Sequence, residues 1–218
     1  MERREILEQT REYVRNTLAG EGTGHDWYHV DRVCRLARRL AEEEKGTDLY
    51  IVELAALLHD IADWKFHDGD ESVGPDRAVE WLSGLDVESD IIDRVVQIIR
   101  EVSFKGAGVD HRPSTPEGRV VQDADRLDAL GAIGIARAFA YGGYRSNPIH
   151  DPLQQPRMHE TFEEYKRSDG TSINHFYEKL LLLTDRMNTE AAKRFAVERH
   201  RYMCDFLERF LEEWDAER

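Results

Sequence analysis

The apolar residues of this 218-residue chain recur with the spacing i, i+3, i+4 along nearly its whole length. This spacing places apolar side chains on one face of an α-helix, and no stretch shows the strict alternation that is typical of a half-buried strand. The pattern predicts helices over about residues 2–18, 26–44, 48–62, 76–83, 89–101, 116–140, 172–186 and 189–214. The sequence therefore predicts an all-α protein, with long loops over residues 63–75, 103–115 and 141–171.

The charge balance restricts the partners of the chain. Aspartate and glutamate number 44 against 30 lysines and arginines, which gives a net charge of -14. Proteins that bind nucleic acid neutralise phosphates with basic side chains, so this balance argues against DNA or RNA as a partner. A small anionic substrate stays compatible if a metal ion or a basic cluster offsets the negative charge locally.

The apolar runs, the N-terminal segment and the two cysteines all predict a cytoplasmic protein. No apolar run reaches the length of a membrane span, and the N-terminal segment "MERREILEQTREYV" lacks the apolar core of a signal peptide. Cys34 and Cys204 both fall within amphipathic helical patterns, so we expect reduced, buried thiols rather than a disulfide. We therefore expect no contact with a membrane.

Histidine and aspartate side chains interrupt apolar helix faces at three separate places. His29 lies on such a face as the first residue of "HVDRV", the pair His59 and Asp60 ends the apolar run in "LLHDIAD", and Asp125 lies on an apolar stripe in "VVQDADRLDAL". Burying a charge without a partner is costly. Imidazole and carboxylate ligands together suit a divalent first-row ion such as Mn, Fe, Co, Ni or Zn. Such an ion activates water and polarises phosphoryl oxygens, so hydrolysis is the expected chemistry.

Each of these residues also has a purely structural interpretation. A histidine on an apolar helix face is often a hydrogen-bonded core residue rather than a metal ligand. The adjacent histidine and aspartate can simply end a helix, and Asp125 can form a salt bridge with Arg126 or Arg94. The spacing of these residues alone leaves both interpretations open.

Taken in order, the segments "HVDRV", "LLHDIAD" and "ADRL" resemble the motifs of the HD-domain superfamily of metal-dependent phosphohydrolases. The resemblance covers about residues 20–140, and "SFKG", "GAIGIARAFAYGG" and "INHFYEKLLLLTDRMNTE" extend it nearly to the C-terminus. The longer match is similar to a bacterial subgroup, the YpgQ/YedJ-like hydrolases. It implies a single HD-type domain over residues 1–218, with a metal-binding core over 20–140 and a long loop with C-terminal helices over 141–218.

The resemblance also implies which side chains bind the metal. Its motifs match one divalent ion, with manganese as the first choice and Fe, Co, Ni, Zn or Mg as alternatives, and the ligands His29, His59, Asp60 and Asp125. Asp123 competes with the last of these, but the aspartate of "ADRL" is the one that matches the family.

His25 competes with His29 in the same way, and the motif "HxxRV" selects the latter. His25 then remains as a substrate contact, as a support for a ligand, or as a plain residue of the helix N-terminal turn.

Residues that act on the substrate are implied less directly. Asp63 follows Asp60 by one helical turn, at a position where the family usually has a glutamate that orients the attacking water. A solvated aspartate in a last helical turn is the alternative. Lys105, Arg145 and Lys166 lie on the long loops and are candidate phosphate contacts, although each can also be an ordinary surface charge.

These features predict a hydrolase of a small phosphorylated molecule, either a nucleotide or another phosphate ester. The subgroup resemblance implies nucleoside or deoxynucleoside triphosphates, cleaved at a phosphoanhydride. An HD-fold di-iron oxygenase is one alternative and needs two further histidines, for which His67 and His111 are available. A nucleotide-binding protein without activity is another. The oligomeric state stays open, with a homodimer through the amphipathic C-terminal segment as one option.

Overall fold

The computed structural model describes residues 1–20, 22, 24–62, 70–103, 112–158, 161, 164 and 170–217. Within these residues the regular structure is helical and contains no strand, which confirms the predicted all-α fold. The helices are α1 (Arg3–Thr17), α2 (Trp27–Ala41), α3 (Leu49–Leu58), α4 (Val73–Gly84), α5 (Ser89–Val102), α6 (Pro116–Asp128), α7 (Gly131–Tyr144), α8 (Ser172–Glu178), a 3-10 helix (Leu180–Arg186) and α9 (Glu190–Trp214).

Side-chain caps explain where several helices begin. The Asp26 carboxylate accepts a hydrogen bond of 2.9 Å from the backbone N–H of His29, and Asp48 caps α3 in the same way. Thr115 caps α6 by accepting from the N–H of Gly118 at 3.0 Å. Each cap satisfies a backbone donor that the first helical turn leaves without a partner.

The predicted helix over residues 116–140 is wrong, because the chain forms two helices there. α6 ends at Asp128, and α7 begins at Gly131, whose φ of +71° lies in the left-handed region that favours glycine. A Cβ atom on Gly134 would lie 2.2 Å from the carbonyl oxygen of Ala129. The break therefore depends on two glycines, one for its backbone conformation and one for close approach.

The predicted helix over residues 172–186 is also divided. Lys179, with φ of -140° and ψ of -60°, leaves the helical region directly after α8. The chain then continues as the 3-10 helix Leu180–Arg186.

The described residues form two compact units, of which the first comprises Met1–Ser103 and Arg112–Asp125. Here α1, α2 and α5 all pack against α3. Every residue from Tyr50 to Leu58 is buried, which makes α3 the central helix of this unit. The C-terminal end of this buried helix carries His59 and Asp60.

The second unit consists of the described residues from Arg126 onward. Its α9 packs against α7 and the 3-10 helix. The rings of Phe139, Phe176, Phe206 and Phe210 form an aromatic cluster with centroid separations from 5.9 to 6.4 Å, of which Phe176 is fully buried. The prediction of a single domain over residues 1–218 stays a prediction.

The two cysteines lie in different environments. Cys34 is buried, and burial raises the pKa of its thiol to about 11. The expectation of a buried thiol is wrong for Cys204, which is exposed because the buried stripe of α9 runs through its neighbours Met203 and Leu207. In the described part of the chain, no helix is both long enough and apolar enough to cross a membrane.

Candidate metal centre

The histidines of the candidate site come from the facing ends of α2 and α3. His29 occupies the third position of α2, where its backbone N–H donates to the capping residue Asp26, and its side chain is fully buried. His59 follows the last residue of α3 and is also buried. Their Nε2 atoms lie 3.3 Å apart, and the rings meet edge to face with centroids 5.3 Å apart.

A backbone carbonyl sets the tautomer of His59. Its Nδ1 atom lies 2.9 Å from the carbonyl oxygen of Ala56. Because a carbonyl only accepts hydrogen bonds, Nδ1 carries a proton, so Nε2 is the ring nitrogen that can offer a lone pair to a metal ion. Metal-binding histidines commonly donate a hydrogen bond from their second ring N–H group to a carbonyl or carboxylate in this way. The Nε2 atom that points toward His29 is therefore a suitable metal donor.

Two carboxylates complete the group. Asp60 Oδ2 lies 3.2 Å from His29 Nε2 and 3.6 Å from His59 Nε2, and Asp125 Oδ1 lies 3.5 Å and 3.9 Å from the same two atoms. Ligands bound at roughly 2.1 Å to one ion are separated by about 3.0 Å in octahedral and about 3.4 Å in tetrahedral geometry. Each carboxylate oxygen and the two imidazole nitrogens are therefore spaced like ligands of a divalent ion, and their donor types suit such an ion.

The donor atoms form two overlapping triads, in each of which they lie within 4.8 Å of one another. One triad contains His29, His59 and Asp125, and the other contains His25, His29 and Asp60. The second triad brings in His25, whose Nδ1 atom lies 2.7 Å from Asp60 Oδ2. His25 is thus a neighbour of the predicted ligands, as the sequence analysis allowed, and its role as a substrate contact stays a prediction.

The charge of Asp60 follows from its neighbours. Burial by itself raises the pKa of this carboxyl group. The nearby imidazoles of His59 and His25, together with the hydrogen bonds from His25 and His29, outweigh that effect and hold the pKa of Asp60 well below its usual range. Asp60 is therefore ionised at neutral pH, which is the form that binds a cation.

The geometry favours Asp125 over Asp123 as the fourth donor. Asp125 approaches both imidazoles and is 29% exposed at its side chain, whereas Asp123 is fully buried on another face of α6. The two arginines considered for a salt bridge with Asp125 have partners elsewhere. Arg94 lies 2.7 Å from Glu117, and Arg126 donates to the carbonyl oxygen of Arg186.

Several of the predicted catalytic and substrate-binding residues lie outside the described residues. This applies to Asp63, Lys105 and Lys166, and also to the two histidines considered for a di-iron site, His67 and His111. Arg145 is described: it is exposed and follows directly after α7 in the second unit. All of these assignments stay predictions.

The sequence patterns did not identify two groups that position the histidines of this site. Asp26 positions the first turn of α2, and the preference of aspartate for helix N-caps was a signal that could have revealed it. The carbonyl of Ala56 fixes the ring of His59, and no side-chain pattern marks a backbone acceptor of this kind.

Comparison with known proteins identifies the family. The sequence model of the HD-domain family matches residues 26–130 of this chain. The protein YpgQ of Bacillus subtilis strain 168 is 40% identical over 201 residues, which cover 92% of this chain and 89% of YpgQ. This protein belongs to the HD-domain superfamily. The family resemblance predicted from the three motifs is thereby confirmed.

Solved structures agree with this HD-superfamily assignment. A Lactobacillus plantarum protein has a TM-score of 0.88 at 40% identity, with 97% of this chain and 98% of that chain covered. An HD-superfamily hydrolase from Bacillus thuringiensis has a TM-score of 0.74 at 44% identity, with 99% and 100% covered. B. subtilis YpgQ in complex with ADP has a TM-score of 0.72 at 36% identity, with 95% and 96% covered. The functional class is therefore that of the HD-superfamily hydrolases, which are metal-dependent phosphohydrolases.

Proposed function

We propose that this protein hydrolyses a phosphoanhydride bond of nucleoside or deoxynucleoside triphosphates and depends on one divalent ion. The observation that carries the proposal is the convergence of two buried imidazole nitrogens, 3.3 Å apart, with two carboxylates at 3.2 to 3.9 Å from them. The choice of a nucleotide is supported by YpgQ, whose structure contains ADP. ADP carries a phosphoanhydride bond and a nucleoside, the two features of the proposed substrate.

The residues that would hold the ion are His29, His59, Asp60 and Asp125. A mixed set of imidazoles and carboxylates suits manganese and its first-row neighbours better than magnesium, which prefers oxygen ligands. When bound, the ion supplies Lewis-acid polarisation of a phosphoryl oxygen and lowers the pKa of water.

The remaining roles fall to side chains around this group. We assign to Asp63 the orientation of the attacking water and the acceptance of its proton, on the basis of the family resemblance. The water oxygen forms a bond to phosphorus while the phosphoanhydride P–O bond breaks, and the leaving group departs as pyrophosphate after attack at the α-phosphorus or as the nucleoside diphosphate after attack at the γ-phosphorus. Lys105, Arg145 and Lys166 are the cations that we assign to the phosphates, where they stabilise the developing negative charge.

The test is a nucleotide panel assayed for phosphate and pyrophosphate release. Full-length protein is stripped of metal and then supplied with Mn²⁺, Co²⁺, Zn²⁺ or Mg²⁺. We expect turnover of triphosphates, strongest with Mn²⁺, and a loss of roughly 10³-fold or more in the double variant His59→Ala/Asp60→Ala. The matched control is His200→Ala/Asp205→Ala, which removes the same two side-chain types from α9 and is expected to retain activity.

Two results would contradict the proposal. Undiminished turnover by the His59→Ala/Asp60→Ala variant would separate activity from the metal centre. Tight nucleotide binding without turnover under any of the four metals would identify a binding protein instead.

A further inference from the structure

We infer that His25 is a positioning residue, whose Nδ1–H group holds the Asp60 carboxylate in the orientation that binds the metal ion. This inference rests on the proposed metal centre and adds a residue that supports it. The observation behind it is the hydrogen bond of 2.7 Å between His25 Nδ1 and Asp60 Oδ2.

The local sequence places His25 at this point. Gly24, with φ of +89°, turns the chain into His25, and the next residue, Asp26, caps α2 through its bond to the His29 N–H. This cap fixes the first turn of the helix and with it the separation of His25 and His29. Their rings meet edge to face with centroids 5.5 Å apart and an interplanar angle of 73°.

The orientation of the Asp60 carboxylate depends on contacts from outside α3. It lies beyond Leu58, the last residue of α3, so regular helix no longer fixes its surroundings. The two oxygens of a carboxylate are equivalent, but rotation of the side chain by less than a half-turn would move the coordinating oxygen away from the two imidazoles. The bond from His25 selects the orientation in which Oδ2 lies 3.2 Å from His29 Nε2 and 3.6 Å from His59 Nε2. A distance of 2.7 Å is at the short, strong end of charge-assisted hydrogen bonds.

The alternative is that His25 binds the metal itself, and the composition of the two triads argues against it. The triad with His25 contains neither His59 nor Asp125, and both triads contain His29, which offers one ligand atom and therefore serves one ion. An ion held by His29, His59 and Asp125 thus leaves His25 as a neighbour of the Asp60 carboxylate. One oxygen of Asp60, in contrast, has two lone pairs and can accept from His25 while it binds the ion.

Three variants separate hydrogen bonding from packing. His25→Asn keeps an N–H donor near the position of Nδ1, His25→Phe keeps a ring against His29 without a donor, and His25→Ala removes both. Metal-stripped, full-length protein is titrated with Co²⁺ alone, and visible absorption reports both affinity and ligand geometry. Circular dichroism and thermal unfolding verify that each variant is folded.

We expect the Asn variant to bind Co²⁺ with the affinity and spectrum of the wild type. The Phe and Ala variants are expected to bind about 10- to 100-fold more weakly, as is typical when a group that supports a ligand is removed. The matched control is His150→Phe, which makes the same change beside the Phe210 and Trp214 rings of the second unit and is expected to leave Co²⁺ binding unchanged.

Wild-type affinity in the His25→Phe variant would overturn the inference, since the donor would then be dispensable. An altered Co²⁺ spectrum in the His25→Asn variant would also overturn it, because it would indicate that His25 is a ligand. The variant His59→Ala separates the metal centre itself from the role of His25. If it binds Co²⁺ normally, the metal centre and the proposed function fail, whereas normal binding by His25→Phe alone rejects only the role of His25.

Discussion

Asp125 and Asp128 lie three residues apart on α6, yet their carboxylates have different surroundings. Asp125 is 29% exposed at its side chain, and its Oδ1 atom approaches the Nε2 atoms of two histidines. Asp128 is only 2% exposed and forms an ion pair of 3.1 Å with Arg137 of α7. The same residue type thus occurs in two kinds of polar site within one helical turn.

The difference shows how a structural charge is distinguished from a functional one. The charge of Asp128 is balanced by a guanidinium group that is always protonated, so this site is complete within the chain. Asp125 instead lies in a triad with the imidazoles of His29 and His59, which are ligand types for a divalent ion. We therefore expect changes at Asp125 to affect activity and changes at Asp128 to affect stability.

The largest effect is expected from Asp125→Asn, which keeps the shape of the side chain and removes its charge. Turnover of the preferred nucleotide should fall by roughly 10³-fold, a loss typical of central catalytic groups. The free energy of unfolding of the metal-free protein should change by less than about 0.5 kcal/mol, as for most partly exposed positions. Enzyme assays and urea unfolding measure the two quantities. Retained activity would place Asp125 outside the metal centre.

The variant Asp128→Asn is expected to lower stability. This change removes the carboxylate that balances the Arg137 guanidinium, and breaking a buried ion pair from one side costs about 3 kcal/mol. Urea unfolding should show this loss, while the exposed control Asp205→Asn on α9 should stay within about 0.5 kcal/mol of the wild type. Equal stability of the two variants would remove the contrast between the aspartates.

A smaller effect tests the turn that follows Asp128. Gly134→Ala would place a Cβ atom 2.2 Å from the Ala129 carbonyl oxygen, and backbone must move to relieve this contact. Overpacking of this kind lowers the free energy of unfolding by about 2 kcal/mol. In the control Gly143→Ala, nothing lies within 4 Å of the new methyl group, so the helix should become more stable by about 0.5 kcal/mol. A Gly134→Ala variant as stable as the wild type would contradict the two-helix interpretation.

The pH dependence of stability offers the finest test of the metal-free site. Because the folded pKa of Asp60 is depressed, its ionised form stabilises the fold above the ordinary carboxylate pKa of about 3.9, and this stability is lost as the pH falls through the folded value. The stability difference between wild type and Asp60→Asn should therefore be largest near neutral pH and shrink toward pH ~3. Urea unfolding in the presence of a chelator measures it. A difference that stays constant with pH would contradict the assigned cause.

Much of the fold follows from the sequence, because helical periodicity and capping are local. The caps at Asp26, Asp48 and Thr115 lie within a few residues of the helix starts that they define. The break between α6 and α7 is different. Ala129 and Leu130 are good helix formers, and only the fold shows that Gly131 adopts a positive φ and that Gly134 approaches the Ala129 carbonyl.

The candidate site divides in the same way. The motifs selected His29, His59, Asp60 and Asp125, and the structure brings them together. The contact between His25 and Asp60 spans 35 residues, so no local pattern could predict it. The roles of Asp63, Lys105 and Lys166 rest on the family resemblance, because these residues lie outside the described part of the chain.

Anomalous X-ray scattering from crystals soaked in Mn²⁺ tests most directly whether four side chains bind one divalent ion. We expect a single strong anomalous peak at about 2.0 to 2.2 Å from the Nε2 atoms of the two histidines and from one oxygen of each aspartate, the bond lengths usual for these donors. Those residues are His29, His59, Asp60 and Asp125. A fully soaked crystal with no peak at this position, or with its peak bound by other residues, would contradict the account.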